Sequence, residues 1–301
     1  MATSSELPIS YVLNFEEYQL CAKRRQAEND LPTSLPEGFP AQLYSPLVWE
    51  GNDFPDLSTW TYTLCSEEID EITSALKHFQ SLQLPLGCIT PATFPLPTLR
   101  PILCDLSRTI HSRRGFFVLC GLPVSQYAQE ETVIVYAGIS SYIGSLRGRQ
   151  DSKHNGHPAD VVLSHVVDLN NVAGRPAIGS PAFTADPQGF HTDTGDIVGL
   201  LMVGPGAGGG KSCIASTWKI YNELAASRPD LIHTLASDWA IDGWVYIHTS
   251  QRTSAKYIQI QAILNTLLPA PSPLPPPCYR YYPRTRSTPV LTSQFYRLRC
   301  I

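Results

Sequence analysis

Two segments with apolar residues at helical spacing precede a series of short apolar segments that glycine and asparagine interrupt. The first stripe comprises Ile69, Ile72, Leu76 and Phe79, and the second comprises Leu99, Leu103, Leu106 and Ile110. This spacing predicts two amphipathic helices, each with one buried face. Ser66 and Thr98 are the predicted N-caps, because a hydroxyl there accepts a hydrogen bond from the first helical turn.

Short strands and three more helices are predicted further along the chain. The predicted strands cover residues 116–120, 161–166, 197–203 and 212–216, and the predicted helices cover residues 126–142, 218–226 and 229–235. Helices followed by short strands indicate an α+β protein with a β-sandwich or barrel core.

The chain divides by composition into three parts. Residues 1–64 are rich in proline, asparagine and aromatic residues without sustained periodicity, which predicts an irregular N-terminal arm. Residues 65–243 carry the predicted helices and strands and form the main domain. Residues 244–301 include a proline-dense run that cannot supply central strands, so they are predicted to be an extended or disordered tail of unrelated sequence.

The charge and hydropathy of the chain exclude several classes of protein. The net charge is −4 and the pI is near 6.1, without the clustered lysine and arginine that nucleic-acid binding requires. No apolar run approaches the roughly 20 residues that cross a bilayer, and the first residues do not resemble a secretory signal. The eight cysteines are scattered. We therefore expect buried free thiols and a cytoplasmic protein.

The segment from Phe190 to Asp196 carries the densest group of potential metal ligands. In an extended segment, residues two apart point to the same side, so His191 and Asp193 are predicted to present a nitrogen and a carboxylate oxygen to one metal ion. Such a pair forms two thirds of the facial triad that binds Fe(II). The alternative is a turn in which Asp193 or Asp196 binds nearby backbone amides.

The residues around this segment resemble the taurine dioxygenase and clavaminate synthase-like family, and most closely its fungal members. The matching blocks are Arg114 to Pro123, Tyr142 to Gly144, Leu163 to His165, Phe190 to Leu201, Gly209 to Ser212, Tyr221 to Leu224 and Arg228 to Leu231. They occur in the family's order and cover residues 99–242.

This resemblance implies a double-stranded β-helix, or jelly roll, flanked by N-terminal helices. It also implies an enzyme that uses Fe(II), 2-oxoglutarate and molecular oxygen to hydroxylate or desaturate a small organic molecule, with a role in secondary metabolism. His191 and Asp193 would be metal ligands. Ser216 and Thr217 are the nearest candidates for a hydroxyl that binds 2-oxoglutarate, and the alternative is that one of them caps the helix starting at Trp218.

The chain departs from the family pattern in its last part. Family members carry a distal histidine ligand, and soon after it an arginine that binds 2-oxoglutarate, but here only His233 and His248 follow His191, and both lie too early. A surface or half-buried role is predicted for His233, and His248 is a candidate substitute ligand. We therefore expect a jelly roll that is incomplete at its C-terminal end and a chain whose activity is in question.

Two functions of other classes remain as alternatives. The run from Gly204 to Ser212 is similar to a phosphate-binding loop, although Pro205 occupies the position of the required first glycine. The second alternative is a non-catalytic, degenerate jelly roll that binds a small molecule or a partner protein. ATP binding would favour the first of these, and Fe(II) with 2-oxoglutarate binding would exclude the second.

Overall fold

The computed structural model describes residues 14–27, 30–154, 157–169, 183–185, 190, 191, 193, 195–204, 206, 208, 212–237 and 297–300. Six helices are present in these residues: α1 (Phe15–Gln26), α2 (Ser66–Ser81), α3 (Arg100–Ser112), α4 (Gln129–Ile143), α5 (Thr217–Ser227) and α6 (Pro229–Ala236). The strands are β1 (Thr61–Thr63), β2 (Phe117–Cys120), β3 (Asp151–His154), β4 (His157–Val161), β5 (Val198–Leu201) and β6 (Arg297–Cys300). No helix in the described part of the chain is long and apolar enough to cross a membrane.

The chain forms two compact units. The smaller unit contains Met1–Pro32 and Arg147–Thr192, and the larger contains Thr33–Leu146 and Asp193–Ile301. Within the smaller unit, β3 and β4 form an antiparallel hairpin in which His154 lies opposite His157. Helix α1 begins after Asn14, whose side chain accepts a hydrogen bond from the backbone N–H of Glu17 at 3.1 Å.

The core of the larger unit lies between α2, α3 and α4 on one side and β1 and β2 on the other. Both apolar stripes that the sequence predicts lie in it, with Ile69 half-buried and the other stripe residues buried, together with the inward residues of α4 and β2. The sheet has the order β1-β2-β6-β5, and all its pairings are parallel. Helices and strands are therefore mixed, as predicted. The double-stranded β-helix stays a prediction, because much of the region that would form it lies outside the described residues.

Helix α2 is capped one residue earlier than predicted. The backbone N–H of Cys65 donates to Glu68 Oε2 at 2.9 Å, so Cys65 is the N-cap and Ser66 is already helical. The other oxygen of Glu68 accepts from the Tyr62 hydroxyl at 2.5 Å. Burial, together with this bond to a carboxylate, raises the pKa of Tyr62 to about 12.

Helix α3 begins with a carboxylate that α2 supplies. Glu71 Oε1 accepts from the backbone N–H of Thr98 at 2.6 Å, and Oε2 accepts from that of Leu99 at 2.9 Å. The prediction that the side chain of Thr98 caps this helix is therefore wrong. A negative charge at a helix N-terminus is favourable, so Glu71 both stabilises α3 and joins it to α2.

The strand predictions are confirmed in part. Strand β2 ends at Gly121, whose φ of 89° breaks the extended backbone, and β5 lies inside the predicted segment 197–203. The predicted strands at residues 161–166 and 212–216 are wrong, since β4 ends at Val161 and residues 212–216 are not in a strand. No described strand pairs with residues 162–166 or 212–216, and an extended segment without a ladder partner is not part of a sheet.

The predicted irregular arm contains regular structure at both ends, namely α1 and β1. Between them, residues 33–48, which we call the N-terminal strap, lie along α5 and α6. There Leu43 is buried with Tyr221, Ala225 and Ile232 in a second apolar cluster. Of the predicted tail, residues 244–296 and 301 lie outside the described residues, and Arg297–Cys300 forms β6.

The cysteines are less buried than predicted. Cys21, Cys65, Cys88 and Cys213 are exposed, whereas Cys104 and Cys120 are half-buried. None of these six described cysteines forms a disulfide, which agrees with the prediction of thiols.

Candidate functional site

The predicted metal ligands lie in a segment without regular structure, just before β5. The side chains of His191 and Asp193 are both exposed, and Thr192 between them lies outside the described residues. The smaller unit ends at Thr192 and therefore includes His191, whereas Asp193 begins the second segment of the larger unit. That both face one metal ion therefore remains a prediction.

The backbone after Asp193 turns sharply before it enters β5. Gly195 has a φ of 114°, in the region that glycine adopts readily and other residues rarely do. Ile197 and Leu201 then pack against the core of the larger unit. The chain downstream of Asp193 is thus fixed to the helices by apolar contacts.

A histidine of α3 lies close enough to this turn to interact with it electrostatically. Burial lowers the pKa of His111, and the negative charge of Asp196 opposes that shift. Sequence spacing does not indicate this pair, because His111 lies at the end of α3 outside its apolar stripe. An exposed carboxylate of the turn and a helix of the core are therefore coupled through charge.

The chemistry of the two predicted ligands fits the metal that the sequence implies. A neutral imidazole and a carboxylate are two of the three donors of an Fe(II) facial triad, and both exposed side chains are reachable from solvent. Within the described residues, no group of three or more His, Cys, Asp or Glu side chains could hold a metal ion. That His191 and Asp193 supply two ligands of such a triad therefore stays a prediction.

Neither later histidine adds a described ligand. His233 is half-buried on α6, as predicted, and its Nε2 lies 3.0 Å from the backbone carbonyl oxygen of Ser34. It therefore contacts the N-terminal strap. His248 lies outside the described residues.

The hydroxyl of Ser216 has the capping role that the sequence offered as an alternative. It accepts from the backbone N–H of Lys219 at 3.0 Å and donates to the backbone carbonyl of Leu47. Ser216 is buried, at 7% exposure, and so is Leu47. Thr217 is the first residue of α5 and is half-buried.

The residues after Lys211 do not have the geometry of a phosphate-binding loop. Such a loop runs directly into a helix whose N-terminal amides bind the phosphates. Here residues 212–216 are not helical, and α5 begins only at Thr217. This arrangement disfavours nucleotide binding at Lys211.

Comparison with known proteins connects this site to one family. The model of the family described as taurine catabolism dioxygenase TauD, TfdA family, matches residues 80–277, which extends past residue 242, where the matching blocks in the sequence end. The chain is 33% identical over 209 residues to the taurine hydroxylase-like protein SAT17 of Stachybotrys chartarum, an alignment that covers 68% of this chain and 53% of that protein. It is 24% identical over 185 residues to the FR-33289 synthase of Streptomyces rubellomurinus, covering 62% of this chain and 52% of the synthase. The chain spans about half the length of these curated relatives.

Proposed function

Because the chain belongs to the TauD and TfdA family of dioxygenases, we propose that it binds Fe(II) and 2-oxoglutarate and oxidises a small organic molecule with molecular oxygen. The observation that carries this proposal is the His-x-Asp motif at His191 and Asp193, which lies inside the region that the family model matches. The names of the two relatives, a taurine hydroxylase-like protein and a synthase, support an enzymatic function.

In this proposal the two motif residues hold the metal. His191 is the neutral ligand and Asp193 the anionic one, and together they leave coordination positions for the co-substrate and oxygen. Bound iron with 2-oxoglutarate supplies the oxidising chemistry, while the protein contributes ligand geometry and orients the substrate. His248, which lies outside the described residues, is the candidate for the third ligand that the sequence offers.

Ser216 is the weaker of the two candidates for contacting 2-oxoglutarate. Its hydroxyl already donates to Leu47 and accepts from Lys219, so a ligand would have to displace a buried hydrogen bond. Thr217 is half-buried beside it. We therefore propose Thr217 as the hydroxyl to test first, with Ser216→Ala as the variant that reports a loss of helix capping.

The direct test is an anaerobic titration of Fe(II) and 2-oxoglutarate, followed through the weak visible charge-transfer band of the ternary complex. We expect the band in the purified chain and expect its loss in His191→Ala and in Asp193→Ala, because each variant removes a ligand. His157→Ala removes an exposed histidine of the β3–β4 hairpin and should keep the band. In His248→Ala, loss of the band would support its assignment as the third ligand.

The outcomes separate the proposal from its alternative. If folded protein gives no band at saturating Fe(II) and 2-oxoglutarate, the chain is not an oxygenase by itself and the non-catalytic alternative holds. A band that survives both His191→Ala and Asp193→Ala would mean that the metal lies elsewhere.

A further inference from the structure

Strand β5 presents a gap to the helices of the core at Gly199. Residues 197, 199 and 201 lie on one face of the strand, because side chains alternate between faces. Ile197 and Leu201 on this face pack against the core, whereas Gly199 between them has no side chain. The apolar contacts of this face are therefore interrupted at its centre.

Tyr136 of α4 fills this gap. Its hydroxyl oxygen lies 2.7 Å from the point that a methyl group on Gly199 would occupy, and its next ring atom lies 3.7 Å from that point. At the first distance the Tyr136 hydroxyl would have to shift to admit a side chain at position 199, whereas the second distance is an ordinary van der Waals contact. Tyr136 and Leu201 also line the same small apolar cavity, so α4 and β5 meet at Leu201 as well.

This contact specifies where β5 lies along α4. A shift of the strand by one residue would turn Ile197 and Leu201 away from the core and place a side chain under the hydroxyl. The turn at Gly195 connects the strand to Asp193 within a few residues. The position of Asp193 is therefore tied to that of β5.

We propose that Tyr136 is a positioning residue, whose hydroxyl seated on Gly199 fixes the register of β5 and thereby holds Asp193 where a metal ligand is needed. This inference rests on the proposed function, since it takes Asp193 as a ligand. It adds a role for a residue on a helix that contributes no ligand.

The test uses a set of four variants. Gly199→Ala introduces a methyl group against the Tyr136 hydroxyl, and Gly199→Ala with Tyr136→Phe removes that hydroxyl, so the nearest ring atom is at an ordinary contact distance. Tyr136→Phe alone reports the loss of the hydroxyl. Gly204→Ala is the matched control, because a methyl group there would meet no atom within 4 Å.

The first readout is hydrogen exchange of peptides that cover residues 193–201, which requires no metal. We expect exchange in Gly199→Ala to be about tenfold faster in this segment, with recovery in the double variant and no change in Gly204→Ala. If Gly199→Ala melts at lower temperature while exchange of residues 193–201 stays unchanged, the ring has moved into the neighbouring cavity and the proposal is wrong.

The second readout is the dissociation constant for Mn(II), measured by electron paramagnetic resonance. We expect Gly199→Ala to weaken binding by about tenfold and the double variant to restore it, as is typical when a contact that orients a ligand is lost. If hydrogen exchange changes as expected but neither the unmodified chain nor any variant binds Mn(II), the register role of Tyr136 stands and the proposed function is contradicted. Mn(II) binding that is equal in all variants would contradict the positioning of Asp193.

Discussion

The main core of the larger unit and the cluster under the N-terminal strap are stabilised by different kinds of contact. In the main core, apolar side chains of α2, α3, α4 and β2 bury one another, and several of them are completely shielded from water. Under the strap, only Leu43, Tyr221, Ala225 and Ile232 form the buried apolar cluster. Most specific contacts there are polar side chains of α5 and α6 that bind the backbone of the strap.

Four side chains bind the strap along its length. The Tyr221 hydroxyl donates to the backbone carbonyl of Pro40 at 2.6 Å, and Nε2 of His233 lies 3.0 Å from the backbone carbonyl oxygen of Ser34. Ser216 donates to the carbonyl of Leu47. The Asn222 amide contacts both backbone groups of Leu43, accepting from its N–H at 2.7 Å and donating to its carbonyl at 3.0 Å.

The difference shows how an irregular segment is held without a sheet. Buried backbone groups must find partners, and a segment outside helices and strands cannot obtain them from a regular ladder. Side chains of neighbouring helices supply them for the strap. We therefore expect the stability of the main core to respond most to substitutions that change side-chain volume. The stability of the strap should respond most to the loss of single hydrogen bonds.

The largest expected effect is in the main core, at Gly138 of α4. A methyl group there would lie 2.5 Å from a ring carbon of Phe94, which is completely buried and has little room to move. We expect Gly138→Ala to lower the free energy of unfolding by about 3 kcal/mol, measured by urea denaturation. Phe94→Leu in the same chain should recover part of the loss, and an unchanged stability of Gly138→Ala would contradict the tight packing.

A smaller effect is expected at the ion pair that begins α6. Arg228 donates from Nε and from a terminal nitrogen to the two oxygens of Asp230, at 2.9 and 2.8 Å, and Asp230 is 4% exposed. We expect Asp230→Asn to cost about 2 kcal/mol at neutral pH. Asp105→Asn, which weakens an exposed pair with Arg113, should cost much less.

The contribution of the Arg228–Asp230 ion pair to stability should depend on pH. The hydrogen bonds and charge of Arg228 hold the pKa of Asp230 below its usual value. Its contribution is therefore complete above the unfolded pKa of about 3.9 and is lost as the pH falls through the lower folded pKa. The difference in unfolding free energy between the chain and Asp230→Asn should shrink below about pH 4, and a difference that grows on acidification would contradict the ion pair.

At the strap itself, Asn222→Leu would leave both backbone groups of Leu43 without their side-chain partners. We expect a loss of about 1.5 kcal/mol and faster proteolysis within residues 33–48, measured by limited digestion and mass spectrometry. Asn222→Asp keeps the acceptor and loses the donor, so its stability and its rate of proteolysis should lie between those of the unmodified chain and of Asn222→Leu. Equal cleavage of the strap in all three proteins would show that these bonds do not hold it.

The smallest effect is expected for a polar contact inside the main core. Glu71→Gln replaces the charged group at the N-terminus of α3 by a neutral amide that accepts with one oxygen only, and should cost about 1 kcal/mol in thermal unfolding. Asp70→Asn, at an exposed residue beyond the first turn of the same helix, is the control. Equal losses in the two variants would contradict the capping of α3 by Glu71.

The sequence predicts the main core well because its contacts follow helical spacing. The stripes from Ile69 and from Leu99, the apolar strand after Gly115 and the helix predicted at residues 126–142 all have the predicted type, with ends shifted by a few residues. The caps were missed because carboxylates of Glu68 and Glu71 replace the expected hydroxyls. The strap was missed because its partners are separated by 169 to 199 residues and share no repeat.

In the candidate site, too, some residues can be predicted from the sequence and others become evident only from the fold. His191 and Asp193 are predicted from their spacing and from the surrounding blocks that resemble the family, and they lie within the residues that the family model matches. Tyr136 and His111 are not predicted, because each lies on a helix far along the chain from the motif, and only the fold brings them to β5 and its turn. Periodicity detects a face of a helix but not which single residue on it meets a glycine.

The central claim is that His191 and Asp193 bind one divalent metal ion, and Mn(II) affinity measured by electron paramagnetic resonance tests it most directly. We predict that His191→Ala and Asp193→Asn each weaken binding by about tenfold or more, and that the two changes together weaken it little further once the site is lost. His157→Ala should leave the affinity unchanged. Equal affinity in the unmodified chain and in the double variant would contradict the claim.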